Sequence, residues 1–168
     1  MTKYQMVATG GTFDHIHKGH LALLSKSFEV GDTVVIGVTS DAFASKEGKI
    51  PEESYESRVR DLENAIRSRF PGRRYIIAKL DDYFGPGIAS PDVEAIVVSK
   101  ETAARVPMAN ALRAKKEYSP LKVEVVDYVL ANDKKPISST RIRKGEIDAE
   151  GNILKGSTRP KGSQARKG

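Results

Sequence analysis

The chain has 168 residues, which fits one domain of the usual ~100–200. It is 39% hydrophobic and 30% charged, enough for an ordinary core, with no run near the ~18 apolar residues that cross a bilayer. The absence of Cys excludes a disulfide scaffold, a cysteine-ligated zinc site and a cysteine nucleophile, while the net charge of +6 keeps a polyanion in view as a partner.

The opening residues MTKYQMVATGG lack the long apolar stretch of a secretory leader, so a cytoplasmic protein is expected. Residues 3–9 read as a strand that ends in Gly10-Gly11. A helix follows, beginning near His17 or Lys18. His20, Leu21, Leu23, Leu24, Ser27 and Phe28 place its apolar members on one face, and Gly31 closes it. Asp32–Ser40 is a β-branched run with little alternation, as in a strand buried on both faces. Pro51–Arg69 predicts a second helix, with Pro near its start and acidic residues in its first turn. Tyr75–Ala78, Ala95–Ser99 and Leu121–Asp127 predict three more strands. Ala103–Lys116 predicts a helix whose start Pro107 complicates, and Ser138–Lys144 opens a last short one. Alternating strands and helices imply an α/β fold with a doubly wound, five-stranded parallel sheet. A single domain is expected over 1–154. The basic tail over 155–168 has no acid and no apolar periodicity, so it is expected to be disordered.

The segment Thr9–His20 reads TGGTFDHIHKGH and holds all three histidines: His15, His17 and His20. It lies where the first strand passes into the first helix, the end of an open α/β sheet at which ligands bind. Gly10 and Gly11 allow a tight turn and close approach to a ligand. The N–H groups and positive pole at the helix start suit a phosphate. His17 and His20, three apart, share a helix face, and Gly19 between them leaves room for a ligand. Three histidines could also hold a metal, although the spacing is not HExxH and Asp14 is the one carboxylate among them. Neither a GxxxxGK[ST] nor a GxGxxG phosphate loop is present.

GTFDHIHKGH resembles the signature of the nucleotidyltransferase superfamily, with its HxGH motif at His17-Lys18-Gly19-His20. Ile137–Arg143, ISSTRIR, is similar to that superfamily's second motif, ISSTxIR. In the middle of the chain, DDYFGP, SPDVE and VVSKET resemble phosphopantetheine adenylyltransferases of the archaeal and eukaryotic type. That resemblance runs from about Tyr4 to Gly145. It implies a Rossmann-like sheet and transfer of AMP from MgATP to 4′-phosphopantetheine, giving dephospho-coenzyme A and pyrophosphate. It departs from the bacterial branch, because Val98-Ser99-Lys100-Glu101-Thr102 stands where bacterial members carry an arginine-containing GLR segment, and His15 and His17 stand in place of Pro and Thr.

The resemblance also assigns roles. His17 and His20 would donate to the ATP phosphates. Thr12 and the Phe13 backbone would sit at the reacting phosphate. Lys46, on the loop after the second strand, would bridge the two phosphates, with Lys49 as its competitor. Ser138, Ser139 and Thr140 would serve the β- and γ-phosphates, with plain N-capping as the alternative, and Arg141 and Arg143 would add positive charge. Gly10, Gly11, Gly19, Ser99, Glu101 and Thr102 complete the expected nucleotide contacts. Asp81 and Asp82 either face the acceptor or end a strand. Mg²⁺ would be held by ATP phosphates and water, with no protein metal site. Other acceptors, such as glycerol 3-phosphate with CTP or FMN with ATP, remain open. No RNP, KH or zinc-finger pattern supports nucleic-acid binding, no membrane contact is expected, and the oligomeric state is not encoded in any motif.

Overall fold

A computed structural model of the chain describes residues 2–83, 85 and 89–154. Five strands run parallel: β1 (Tyr4–Gly11), β2 (Gly31–Thr39), β3 (Arg74–Leu80), β4 (Ala95–Ser99) and β5 (Lys122–Val126). Their order across the sheet is β3-β2-β1-β4-β5. α1 (Lys18–Val30) joins β1 to β2, and α2 (Asp41–Lys46) and α3 (Tyr55–Arg69) lie between β2 and β3. α4 (Lys100–Ala103) and α5 (Val106–Lys115) join β4 to β5, and α6 (Ser139–Arg143) follows β5.

Successive strand residues point to opposite faces, and both faces of the inner strands β1, β2 and β4 are buried, while the edge strands β3 and β5 stay partly exposed. Val7, Val34, Ile36, Val38, Ala95 and Val97 face one core, shared with Leu24 and Phe28 of α1 and Leu62 and Ile66 of α3. Ala8, Ile96 and Val98 face the other, with Val106 of α5. This is why the strands read as unbroken apolar runs. Each Val, Leu, Ile or Phe among them withdrawn from water contributes about 1.5–3 kcal/mol. The central strand β1 pairs with β2 on one side and β4 on the other, so the winding direction reverses beside it. A crevice forms at the carboxyl ends of the strands at such a point.

Several predicted boundaries move, each for a local reason. β1 continues through both glycines, and β3 is longer than Tyr75–Ala78. α3 starts at Tyr55 rather than Pro51. Ser54 caps it, and the Glu52 and Glu53 N–H groups turn away to the Asp14 carboxylate at 3.1 Å each. The helix predicted over Ala103–Lys116 is α5, which starts at Val106, and a separate short helix, α4, which was not predicted, precedes it. Ser99 caps α4, and Pro107 sits in the first turn of α5, where its missing N–H costs nothing. α2 was not predicted. Ser40, read as the end of a strand, is its N-cap.

Beyond β5 the chain builds a small cluster of Ala131, Ile137 and Ile147, which carries α6. The residues predicted as a disordered tail, Lys155–Gly168, lie outside those described, as do Phe84 and Pro86–Ile88. Among the described residues no helix is long and apolar enough to cross a membrane.

Candidate active site

The turn from β1 into α1 is not made by its glycines. Gly10 and Gly11 are extended strand residues. A Cβ on Gly10 would meet the Gly37 carbonyl at 3.2 Å, and one on Gly11 would meet the Phe13 ring at 3.3 Å. The reversal falls on Phe13 (φ 57°) and His15 (φ 55°), two side-chain-bearing residues in the left-handed region. Such conformations cost about 1–3 kcal/mol and persist where the surroundings fix them, commonly at functional sites. The Phe13 side chain is fully buried in the core, so any ligand contact from it is through the backbone. Thr12 Oγ1 accepts from the Thr39 hydroxyl at 3.0 Å, which leaves its own O–H proton to donate elsewhere.

His17 is the N-cap of α1. Its Nδ1 accepts from the N–H of Gly19 (3.0 Å) and of His20 (3.4 Å). In return, His20 Nδ1 accepts from the His17 N–H (3.2 Å), closing a capping box built from two imidazoles. The rings stack with centroids 3.7 Å apart and planes at 20°. Both Nδ1 atoms are acceptors, so both rings carry their proton on Nε2. Burial, and then the charge of His15, pushes the His17 pKa down to about 4. Burial, with His17 and His15, holds His20 well below the usual histidine value of 6.5. The pair is therefore neutral at physiological pH, and each ring offers one Nε2–H donor.

This arrangement revises two expectations. The first N–H groups of α1 are already used, Lys18 by the Ala149 carbonyl (3.2 Å) and Gly19 and His20 by the His17 ring. The donors this turn leaves for a ligand are the imidazole Nε2–H groups rather than the first N–H groups of the helix. The room left by Gly19 is filled by His17, since a Cβ there would lie 2.8 Å from His17 Cε1.

The second motif meets the first at Asp14. Arg143 Nη1 donates to Asp14 Oδ2 at 2.7 Å, and the Ser139 hydroxyl donates to the Asp14 carbonyl. Ile137, just before α6, faces Gly19. Ser138 is the N-cap of α6, accepting from the Arg141 N–H at 3.2 Å, and Thr140 accepts from Arg143 Nη2 at 3.2 Å. The Arg141 guanidinium is paired with Asp133 and with Glu146 (2.9 Å), which ties it to the C-terminal segment.

A cavity of about 350 Å³ opens on the other side of Gly10–Thr12. Leu80, Phe43 and Val106 supply apolar walls; Ser99, Glu101 and Thr102 line it at β4 and α4. Ser99 also caps α4 through the Thr102 N–H (3.3 Å). Lys49 and Arg105 bring positive charge to the lining. Lys46 does not line it. It is the exposed last residue of α2, not part of a loop, whereas its competitor Lys49 is among the lining residues. Asp81 and Asp82 are exposed just past β3 and outside the lining, where their neighbours Leu80 and Tyr83 stand instead. Asp82 accepts from the Gly85 N–H at 2.8 Å, as a residue ending a strand does.

Arg58 was not foreseen. It is fully buried and donates to the carbonyls of Thr12 (2.7 Å), Thr39 (2.9 Å) and Glu53 (3.1 Å) and to Asp41 Oδ1 (2.6 Å). One guanidinium thus pins the ends of β1 and β2 and sets the height of Thr12. Its signal in the sequence was a charge on the apolar stripe of α3, four and eight residues before Leu62 and Ile66. His15 also leaves the histidine cluster, with its Nε2 2.5 Å from Glu52 Oε1. Among the described residues no three His, Asp or Glu side chains converge as a metal site would require.

Known proteins match this chain over most of its length. The phosphopantetheine adenylyltransferase of Methanothermobacter thermautotrophicus is 46% identical over 153 residues, covering 91% of this chain and 92% of that protein. The enzyme of the same name from Methanopyrus kandleri is 41% identical over 148 residues, covering 88% and 94%. A crystal structure of an Archaeoglobus fulgidus protein of unknown function superposes with a TM-score of 0.64 at 26% identity, covering 73% of this chain and 89% of that one. With residues 8–145 matching as one unit, the chain belongs to the cytidylyltransferase-like family.

Proposed function

We propose that the protein transfers AMP from ATP to 4′-phosphopantetheine, releasing pyrophosphate and forming dephospho-coenzyme A in the cytoplasm. The observation that carries this is the identity of 41–46% to archaeal phosphopantetheine adenylyltransferases over about nine-tenths of the chain. The geometry supplies the chemistry. The acceptor phosphate is largely ionised near neutral pH, since its second pKa is about 6, so attack on the α-phosphorus needs no general base. The protein's work is to position the phosphates and stabilise charge on the oxygens of the transition state. The Nε2–H groups of His17 and His20 donate to ATP phosphates without titrating. Thr12 donates its hydroxyl to the incoming phosphate, and Ser138–Thr140 hold the far end of the triphosphate. The cavity beside Gly10–Thr12 takes the nucleotide against Ser99, Glu101 and Thr102 and the acceptor's arm on the side of Lys49.

Mg²⁺ arrives on the nucleotide in this reading. Asp14, the carboxylate nearest the turn, already accepts from Arg143 and two N–H groups, so ATP oxygens and water hold the ion. It would add positive charge to the hydrogen bonds that the neutral histidines donate.

The test is pyrophosphate release with ATP and phosphopantetheine, beside CTP with glycerol 3-phosphate and ATP with FMN. Release with the first pair alone is expected. Turnover only with CTP, or only with FMN, overturns the assignment.

A further inference from the structure

Three separate stretches of chain converge on one buried carboxylate. Asp14 is 1% exposed. Its Oδ1 accepts from the Glu53 N–H (3.1 Å), and its Oδ2 from the Glu52 N–H (3.1 Å) and Arg143 Nη1 (2.7 Å). Its carbonyl accepts from the Ser139 hydroxyl. Its two chain neighbours are the pair with positive φ, Phe13 and His15. His15 adds to the same junction, with its N–H 3.4 Å from Glu53 Oε1 and its ring against Glu52. The strained turn, the segment entering α3 and the start of α6 are thus locked through one residue.

We infer that Asp14 is a positioning residue for the nucleotide: through Arg143 and Ser139 it holds Ser138–Thr140 in register with the His17–His20 pair, and through the Glu52 and Glu53 N–H groups it fixes the strained turn that carries Thr12. The inference rests on the reading of the β1–α1 turn as the phosphate site. A carboxylate is suited to this place because it can accept three donors at once, one of them cationic, inside the protein. Asparagine there must turn an NH₂ toward a donor. Arg143, foreseen as positive charge for the triphosphate, acts through Asp14: the pair is charge-balanced, and its product is the placement of α6.

A purely structural ion pair and a positioning one differ in what their loss does. Loss of a structural pair lowers stability and the active fraction, and leaves affinity unchanged in the molecules that fold. Loss of a positioning pair separates the substrates. The experiment measures Kd for ATP and for phosphopantetheine by calorimetry, with thermal midpoints, on the full chain and its Arg143→Met, Arg143→Lys, Asp14→Asn and Asp14→Asn/Arg143→Met variants. Arg143→Met is expected to weaken ATP about 10–100-fold, the scale of a misplaced binding group. Phosphopantetheine should stay within about twofold in that variant, and Arg143→Lys should recover part of the ATP loss. The double variant should be no weaker than the worse single one, because both remove the same link. Unchanged ATP affinity in folded Arg143→Met, a parallel loss of both substrates, or additive losses in the double variant would overturn the proposal. If Asp14→Asn does not fold, the Arg143 pair still decides it. A wild-type protein that binds ATP but does not adenylylate phosphopantetheine sinks the functional reading alone. A wild type that does both, with ATP affinity unmoved in the variants, sinks the Asp14 role alone.

Discussion

His20 and His17 are two neutral donors held by each other, and their predicted failures differ. Replacing His20 by Ala removes one Nε2–H from the phosphates and one partner of the capping box. We expect kcat to fall about 10²–10³-fold, the scale for one oxyanion donor, with the far-UV circular dichroism unchanged. Near-normal turnover in His20→Ala would remove it from the mechanism. His17 makes a pH prediction. Unfolded, it titrates at the ordinary 6.5; folded, at about 4. Between those values the unfolded chain binds a proton that the folded chain does not, so stability is full above pH 6.5 and declines as pH falls toward 4. The total is roughly 3 kcal/mol for this residue. His17→Asn keeps a good N-cap and removes the titration. Its thermal midpoint should be less sensitive to pH between 6.5 and 4 than the wild type's, and an equal slope would contradict the assignment. The histidine cluster and its place at the strand end were legible in the sequence. The division of labour was not: which ring caps, which nitrogen holds the proton and why Gly19 is glycine all depend on a ring folding back over its own helix.

At the scale of elements, Arg58 of α3 does what no periodicity analysis could announce. It satisfies carbonyls at the ends of two neighbouring strands, where a parallel ladder stops and acceptors are left over. Arg58→Met keeps the apolar stem and abandons those acceptors, at a cost of about 3 kcal/mol if one or two stay dry. Urea unfolding should show that loss as a lower midpoint, and a midpoint within error of the wild type would mean that water replaces the guanidinium without cost. The long, strongly patterned elements were readable because both faces of β2 and β4 are apolar and one face of α1 is. α2 was not, because six residues make less than two turns and leave no stripe to count. The start of α3 was set by competition for the Glu52 and Glu53 N–H groups at Asp14, which is resolved only when that distant residue arrives, and the start of α5 by Pro107, which has no N–H to give to a preceding turn.

At the scale of the molecule, the charge that opened the sequence reading separates from the site. Lys155, Arg159, Lys161, Arg166 and Lys167 lie in 155–168 without an acid, so five of the six net positive charges belong to that segment. Every candidate site residue lies between Gly10 and Arg143. Deleting 155–168 should leave kcat and both KM values unchanged and weaken retention on a polyanion column at low salt, where screening is least. A fall in kcat would tie the segment to the site. The order of the strands was not legible, because which strands pair is decided by residues far apart in the chain, but the meeting of the two motifs was. They stand some 120 residues apart, and the parallel winding returns the second to the first at Asp14. The central claim is AMP transfer to a phosphate acceptor at that junction. Phosphorus NMR of the full chain with MgATP and phosphopantetheine tests it most directly. Matched growth of free pyrophosphate and of a new diphosphate ester, absent when pantetheine without its phosphate is supplied, is the predicted result. Pyrophosphate without the new ester, or no reaction at all, would contradict it.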